Sequence, residues 1–452
     1  MTPRWLWVRF AMRHTVGTLE KILTKEYAMK KKIKVGVGFA TGRKSFRKVL
    51  NAYMKIWKEA CARFPDETDV SLYLFVAYDV GYSNTQSTDY TNLSQDIVDA
   101  FDGMIFIGAR NTLKSLEELT RNSTFTTEEL KSVFGAGYAG KRNAILYSAL
   151  ENGIDYLLFL DDDEYPAAVT NNRDECLWSG QNVILSHLRE IKNADYTNGR
   201  HCGYISPIPH IEFDEILTRE GFRTFIEAIS NDIINWDNIE RLMRSCGVTY
   251  ADTGILERKQ SEDVQEVAGC TYISGANLCI NLQRPERSFP FFNPPGARGE
   301  DTFLSTLLCD RTVRKVPCYT FHDGFSLYRH LLDGVLPTHL VPITSSSKAV
   351  VERFLSACLG WVRYKPLLVY IVQPDEYEKN MREMHAALGR VLPGLSKHFG
   401  NARFMDIMEE FEKYWRNVKK HHRQFLMACA TWQKLLRIMA ERKQAASAGG
   451  WW

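Results

Sequence analysis

Tyr156-Leu157-Leu158-Phe159-Leu160-Asp161-Asp162-Asp163 is an apolar run that ends in three consecutive carboxylates. Five apolar residues in a row suit a strand buried on both faces of a parallel sheet. Charges just past such a strand fall at the carboxyl edge of the sheet, where open α/β folds bind ligands. Three adjacent carboxylates repel one another unless a cation or hydrogen-bond donors sit among them. A divalent metal and a phosphate-bearing ligand are the first expectation.

Upstream, the pattern alternates strand with helix. Lys34–Ala40 reads as a strand that breaks at Thr41-Gly42-Arg43. Phe46, Val49, Leu50, Tyr53, Ile56, Trp57 and Ala60 follow helical spacing. Ser71–Tyr78 reads as a second strand ending at Asp79, and Gly103–Gly108 as a third. A helix is expected from about Gly140 to Glu151, terminated by Asn152-Gly153. This alternation predicts an α/β fold with a mostly parallel sheet flanked by helices.

Downstream, strand character is expected at His201–Pro207 and around Tyr272–Ile280, with charged helical stretches in 211–262. The tail from about Pro374 carries an apolar stripe through Phe404, Phe411, Trp415, Phe425, Trp432 and Met439. It predicts a helical layer packed on the main domain. Arg416, Lys419, Lys420 and Arg423 lie beside the stripe and leave a peripheral membrane or partner-docking face as the alternative.

The 452 residues carry a net charge of +3, which gives no global argument for nucleic acid. Composition is ordinary for a globular protein, at 45% apolar and 25% charged. Ten cysteines occur without a Cys-x-x-Cys pair, which argues against a zinc ribbon and for free thiols in a reducing cytosol. A cytoplasmic location is expected. No run of 18 apolar residues marks a membrane span. Residues 1–30 mix Trp5, Trp7 and Phe10 with Arg4, Arg9 and Arg13. They read as an N-terminal extension, with an amphipathic interfacial helix as the alternative.

Three further segments carry chemistry. Gly135-Ala136-Gly137-Tyr138-Ala139-Gly140-Lys141-Arg142-Asn143 puts glycines before a helix whose first turn holds two cations. Helix N-termini attract phosphate, and cations strengthen that attraction. Gly296-Ala297-Arg298-Gly299-Glu300-Asp301 delivers two carboxylates to the start of an apolar helix, where one would act as a general base or cap the helix. Phe321-His322-Asp323-Gly324-Phe325 presents a histidine at the end of a strand-like segment. Trp178, Trp236 and Phe291-Phe292 are candidate sugar-stacking aromatics or core residues.

In this order the segments resemble the nucleotide-sugar-dependent glycosyltransferases of the GT-A fold, in particular glycosyltransferase family 2. The resemblance spans roughly residues 33–330, and GAGYAGKRNAILYSALENGIDYLLFLDDDEYP is its most specific part. ISGANLCI followed by GARGEDTFLSTLL looks like the acceptor-side segment with its Glu-Asp motif, and HDGF is similar to a late metal-binding histidine. Two features depart from the family. The first strand runs into Thr41-Gly42-Arg43 rather than a Pro-x-Tyr-Asn-like donor turn. The Gln-x-x-Arg-Trp motif of processive synthases is absent.

The resemblance implies a GT-A catalytic domain over 31–340, with a donor half at about 31–165, an acceptor half at about 166–340 and a helical region at 341–452. It implies a non-processive, inverting transfer of a sugar from a UDP- or GDP-sugar to a saccharide or other hydroxyl acceptor, assisted by Mn²⁺ or Mg²⁺. Retention of configuration stays open from the sequence. Asp161, Asp163 and His322 are the implied metal ligands. Thr41, Arg43, Asp79, Lys141, Arg142, Asp161 and Asp162 are the implied donor contacts. Asp301 is the implied base, with Glu300 second. A sugar-phosphate nucleotidyltransferase and a non-catalytic nucleotide-sugar-binding protein are the alternatives.

Overall fold

A computed structural model describes residues 32–109, 117–120, 125–173, 175–229 and 235–448. The expectation for residues 1–30 lies outside them. Central strand β1 (Ile33–Thr41) shows how the sequence builds the sheet. Its Val35, Val37 and Phe39 face one side and are fully buried. Gly36 and Gly38 face the other, where a Cβ on Gly38 would lie 2.9 Å from Ile145. The missing side chains let a helix pack directly on the strand.

Helix α1 (Phe46–Arg63), β2 (Val70–Tyr78) and β3 (Gly103–Ile107) follow. Next come α2 (Thr127–Phe134), α3 (Tyr138–Glu151) and β4 (Tyr156–Leu160). Strand β5 (Glu164–Tyr165) leads into the hairpin β6 (Ala167–Asn172) and β7 (Glu175–Gly180), which forms its own two-stranded sheet. Then come α4 (Val183–Ile191), β8 (Tyr196–Gly203), α5 (Arg219–Ile229) and α6 (Trp236–Arg244). Strands β9 (Glu262–Asp263) and β10 (Leu278–Asn281) precede α7 (Glu300–Ser305) and β11 (Val313–His322). The chain closes with α8 (Lys348–Val372), α9 (Tyr377–His398), α10 (Asp406–Arg416) and α11 (Val418–Ala448). Shorter helical turns are left unlabelled.

The main sheet has nine strands in the order β3-β2-β1-β4-β10-β8-β11-β5, with β9 on β11. It is mixed, which corrects the expectation of a mostly parallel sheet. Strands β1 to β4 are parallel to one another, as are β8 and β11. Strand β10 runs antiparallel to both β4 and β8, and β5 and β9 run antiparallel to β11. Four-residue β10 is too short to show its direction through periodicity. The expected strand around Tyr272 contracts to its last residues, because Ser274–Asn277 form a loop held by Asn198 of β8.

One apolar core lies under α1 and α4, and a second lies under α3 and the C-terminal helices. Phe404, Phe411, Phe425 and Trp432 are buried in the second, so the tail is the packed layer its stripe predicts. That layer starts earlier than Pro374, at α8. By length and composition α8 is the one helix among the described residues able to cross a membrane. In this structure Phe354, Leu355, Cys358 and Val362 pack into the core. All ten cysteines are free thiols.

Candidate active site

The chain leaves β1 for β2 and β3 on one side, then returns to place β4 on the other. Neighbouring strands that diverge in this way open a crevice at their carboxyl ends. Thr41-Gly42-Arg43 ends β1 and Asp161-Asp162-Asp163 ends β4, so both segments meet at that crevice. It widens into a pocket of about 1480 Å³ lined by Arg43, Arg142, Asp161, Asp162, Asp163, Glu300, Asp301 and His322, among others. Segments more than 250 residues apart in sequence thus share one cavity.

The three carboxylates have different partners. Asp162 is buried, accepts from Thr41 Oγ1, and pairs with Arg43 Nη1 at 2.7 Å. Burial pushes its pKa up, while Arg43 and Thr41 oppose this. The same Arg43 Nη1 lies 2.6 Å from Asp163 Oδ2, so one guanidinium bridges two carboxylates. Asp163 Oδ2 also lies 3.8 Å from His322 Nε2. Burial opposes ionisation of Asp163, yet His322 and Arg43 outweigh it and hold the carboxyl well below its ordinary range. Asp161 turns to Arg142 Nη2, at 2.9 Å. Burial, with Glu164, Asp163 and Asp162 nearby, pushes Asp161 up to about 7 against the pull of Arg142.

Arg142 links Asp161, which follows β4, to the Gly275 loop and to Glu300 at the start of α7. Its side chain is 3% exposed and lies between the rings of Phe159 and Phe291, at 5.4 and 5.6 Å. It donates to the Gly275 carbonyl and lies 3.6 Å from Glu300 Oε1. The Gly275 N–H in turn donates to Asp301 Oδ2 at 3.1 Å, while Asp301 Oδ1 accepts from the Thr302 N–H at 2.9 Å. Glu300 is pushed up by burial and by Asp301, with Arg142 opposing.

The Gly-rich loop before Glu300 is clamped rather than free. Tyr414 Oη donates to the Pro295 carbonyl, and Arg363 Nη1 donates to Gly296 O at 3.1 Å. Gly299 has φ +93°, and a Cβ there would lie 3.0 Å from the Tyr364 ring. Helices α8 and α10 therefore set the position of Glu300 and Asp301.

The segment 135–143 brings Tyr138 and Arg142 to the pocket, and its glycines also shape the backbone. A Cβ on Gly140 would sit 1.7 Å from the Gly135 carbonyl oxygen. The glycine there permits a tight α2–α3 corner. Lys141 is tied to Asp79 at 3.0 Å, and neither residue lines the pocket. Thr41 is buried beneath it and acts on Asp162. The suggested stacking aromatics are core residues. Phe291, Phe292 and Trp236 are buried, and Trp178 Nε1 donates to the Pro337 carbonyl at 2.8 Å.

Sequence reasoning missed Arg298, Arg353, Trp361 and Tyr364, which also line the pocket. Arg353, Ala357, Trp361 and Tyr364 repeat at helical spacing on α8, and that stripe was the available signal. It also missed Glu164, which is buried behind Asp163 and bonded to Thr320 Oγ1 at 2.7 Å and His201 Nδ1 at 3.2 Å.

Among the described residues, no three His, Cys, Asp or Glu side chains converge as a ready metal cage. The nearest to one is the pair Asp163 and His322, a carboxylate and an imidazole 3.8 Å apart, with Arg43 Nη1 on the same Asp163 oxygen. His322 Nδ1 faces the Tyr204 carbonyl at 2.7 Å. That hydrogen bond directs Nε2 toward Asp163, which is the orientation a histidine ligand needs. Comparison with protein-family models and with curated proteins finds no match to this chain.

Proposed function

We propose that this protein is a GT-A-type glycosyltransferase that moves a sugar from a nucleoside diphosphate sugar to an acceptor hydroxyl, with inversion and without processive extension. The observation that carries the reading is the convergence of Asp161–Asp163, Glu300-Asp301 and His322 in one pocket at the β1/β4 crevice. The mixed sheet flanked by helices and the motif order along the chain support it.

Asp163 and His322 would hold Mn²⁺ or Mg²⁺, which would supply Lewis-acid stabilisation to the departing diphosphate. Asp162, fixed by Thr41 and Arg43, keeps the Asp163 backbone in place. Arg142 sets the orientation of Asp161 beside the donor. The acceptor oxygen attacks the anomeric carbon as the bond to the diphosphate breaks, and its proton passes to Asp301. Both Asp301 oxygens are held by backbone N–H groups, which fixes that carboxylate toward the pocket. Glu300 instead balances Arg142. One base and one displacement give inversion. Ten free thiols support a cytoplasmic enzyme.

A Mn²⁺-dependent thermal-shift screen over UDP-, GDP-, CMP- and dTDP-sugars tests the reading, because a ligand of the folded state raises the melting temperature. One donor class should raise it and be hydrolysed or transferred. If none of the four shifts it, the transferase reading fails. Pyrophosphate release from a nucleoside triphosphate would assign the site to a nucleotidyltransferase instead. Tight donor binding with no turnover would leave a binding protein.

A further inference from the structure

The cations that the sequence nominates for phosphate are already neutralised in the fold. Lys141 pairs with Asp79, Arg142 with Asp161, and Arg43 with both Asp162 and Asp163. A diphosphate entering this pocket needs other positive groups. Two further arginines of the pocket lining come from the loop before α7 and from α8: Arg298 and Arg353. Among the described residues neither forms an ion pair, and both reach solvent.

Both side chains are held in place without a carboxylate. The Arg353 guanidinium lies 4.9 Å from the Phe325 ring centre. Its Nη2 would lie 3.1 Å from a Cβ on Gly324, the same hypothetical atom that would lie 3.0 Å from the His322 ring. The tip of Arg353 is therefore beside His322 and Asp163. The stem of Arg298 crosses α8 at Gly360, 3.6 Å from where a Cβ would stand. Arg43, Arg298 and Asp163 all act electrostatically on Arg353, and burial with the two like charges lowers its pKa. Arginines gathered without a direct ion pair of their own are stabilised by an added anion.

From this geometry we infer that Arg298 and Arg353 form a diphosphate-binding subsite, in which the loop before α7 and the C-terminal helical region each supply one positive charge to the leaving group. The inference rests on the transferase reading for its choice of diphosphate, and through Arg353 it extends the site onto α8, outside the resemblance.

Isothermal titration with inorganic pyrophosphate, in Mg²⁺ at fixed ionic strength, tests it without any sugar donor. Wild type should bind. Arg298→Ala and Arg353→Ala should each weaken binding by about tenfold or more, the loss of one charge-assisted contact. Arg353→Lys should retain part of the affinity. Because no ion pair is lost, and Arg353 gives up only its contact with the Phe325 ring, the unliganded variants should melt within about 2 °C of wild type. The inference is overturned if wild type does not bind, or if the double alanine variant binds within about twofold of wild type. It is also overturned if the unliganded variants melt several degrees lower, which would mark a structural role. Pyrophosphate bound through these arginines without turnover of any nucleotide sugar would sink the transferase reading alone. Turnover of a nucleotide sugar that is unchanged in the double variant would sink this inference alone.

Discussion

Replacing Arg142 with Met should destabilise the protein more than any other single change in the pocket wall. The guanidinium is 3% exposed, pairs with Asp161 at 2.9 Å, lies 3.6 Å from Glu300 and donates to the Gly275 carbonyl. Methionine preserves much of the volume between Phe159 and Phe291 but leaves those carboxylates and the carbonyl without their partner. Removing one member of a buried ion pair costs about 3–5 kcal/mol. Unfolding entropy of about 2.1 cal/mol/K per residue over roughly 400 residues gives about 0.8 kcal/mol/K, so melting should fall by about 4–6 °C. Differential scanning calorimetry of wild type and variant checks this. The added substitution Glu300→Gln removes one of the stranded charges and should recover part of the loss, by about 0.5–3 kcal/mol of coupling. A fall of less than about 1 °C, or no recovery in the double variant, would refute Arg142 as the electrostatic link between Asp161 and Glu300.

Asp163→Asn should weaken Mn²⁺-dependent donor binding, whereas Asp301→Asn should cut turnover with donor binding retained. Titration calorimetry and initial rates separate the two, and near-normal turnover in Asp301→Asn would move the base assignment to Glu300. His187, buried between Thr197 and Asn277, is held down to about 4 by burial, with Lys315 adding to this. The unfolded chain takes up that proton near pH 6.5, so stability should fall by roughly 3 kcal/mol as pH drops from 7 toward 4. Urea melts of wild type and His187→Gln across that range check it, the variant losing less stability on acidification. Gly140→Ala should destabilise the fold by about 1–3 kcal/mol or more and so lower the urea midpoint, since its methyl collides with the Gly135 backbone. An unchanged midpoint would mean the α2–α3 corner relaxes freely.

The periodic elements were legible because each encodes its environment locally. β1, α1, β2, β3, α3 and β4 appear within a few residues of where alternation, helical spacing and Gly breaks place them. The Asp161–Asp163 edge was legible for the same reason, since a buried strand that stops at charges must stop at a solvent edge. Less visible were elements whose signal is short or non-local. β10 has only four residues, and its antiparallel direction follows from neighbours on β4 and β8. Arg353 joined the pocket only because α8 packs across the Gly296–Gly299 loop.

By itself, then, the sequence determined that a buried strand ends in a charged edge at Asp161–Asp163, that strands alternate with helices before it, and that an apolar helical layer follows. Local hydrophobic period and backbone chemistry are sufficient for such statements. Only the tertiary structure decided which charges neutralise which. It tied Lys141 to Asp79, Arg142 to Asp161 and Arg43 to Asp162 and Asp163, and it left Arg298 and Arg353 facing the pocket without ion pairs. Charge pairing acts over a few ångströms between segments far apart in the chain, so no reading of spacing along the sequence contains it.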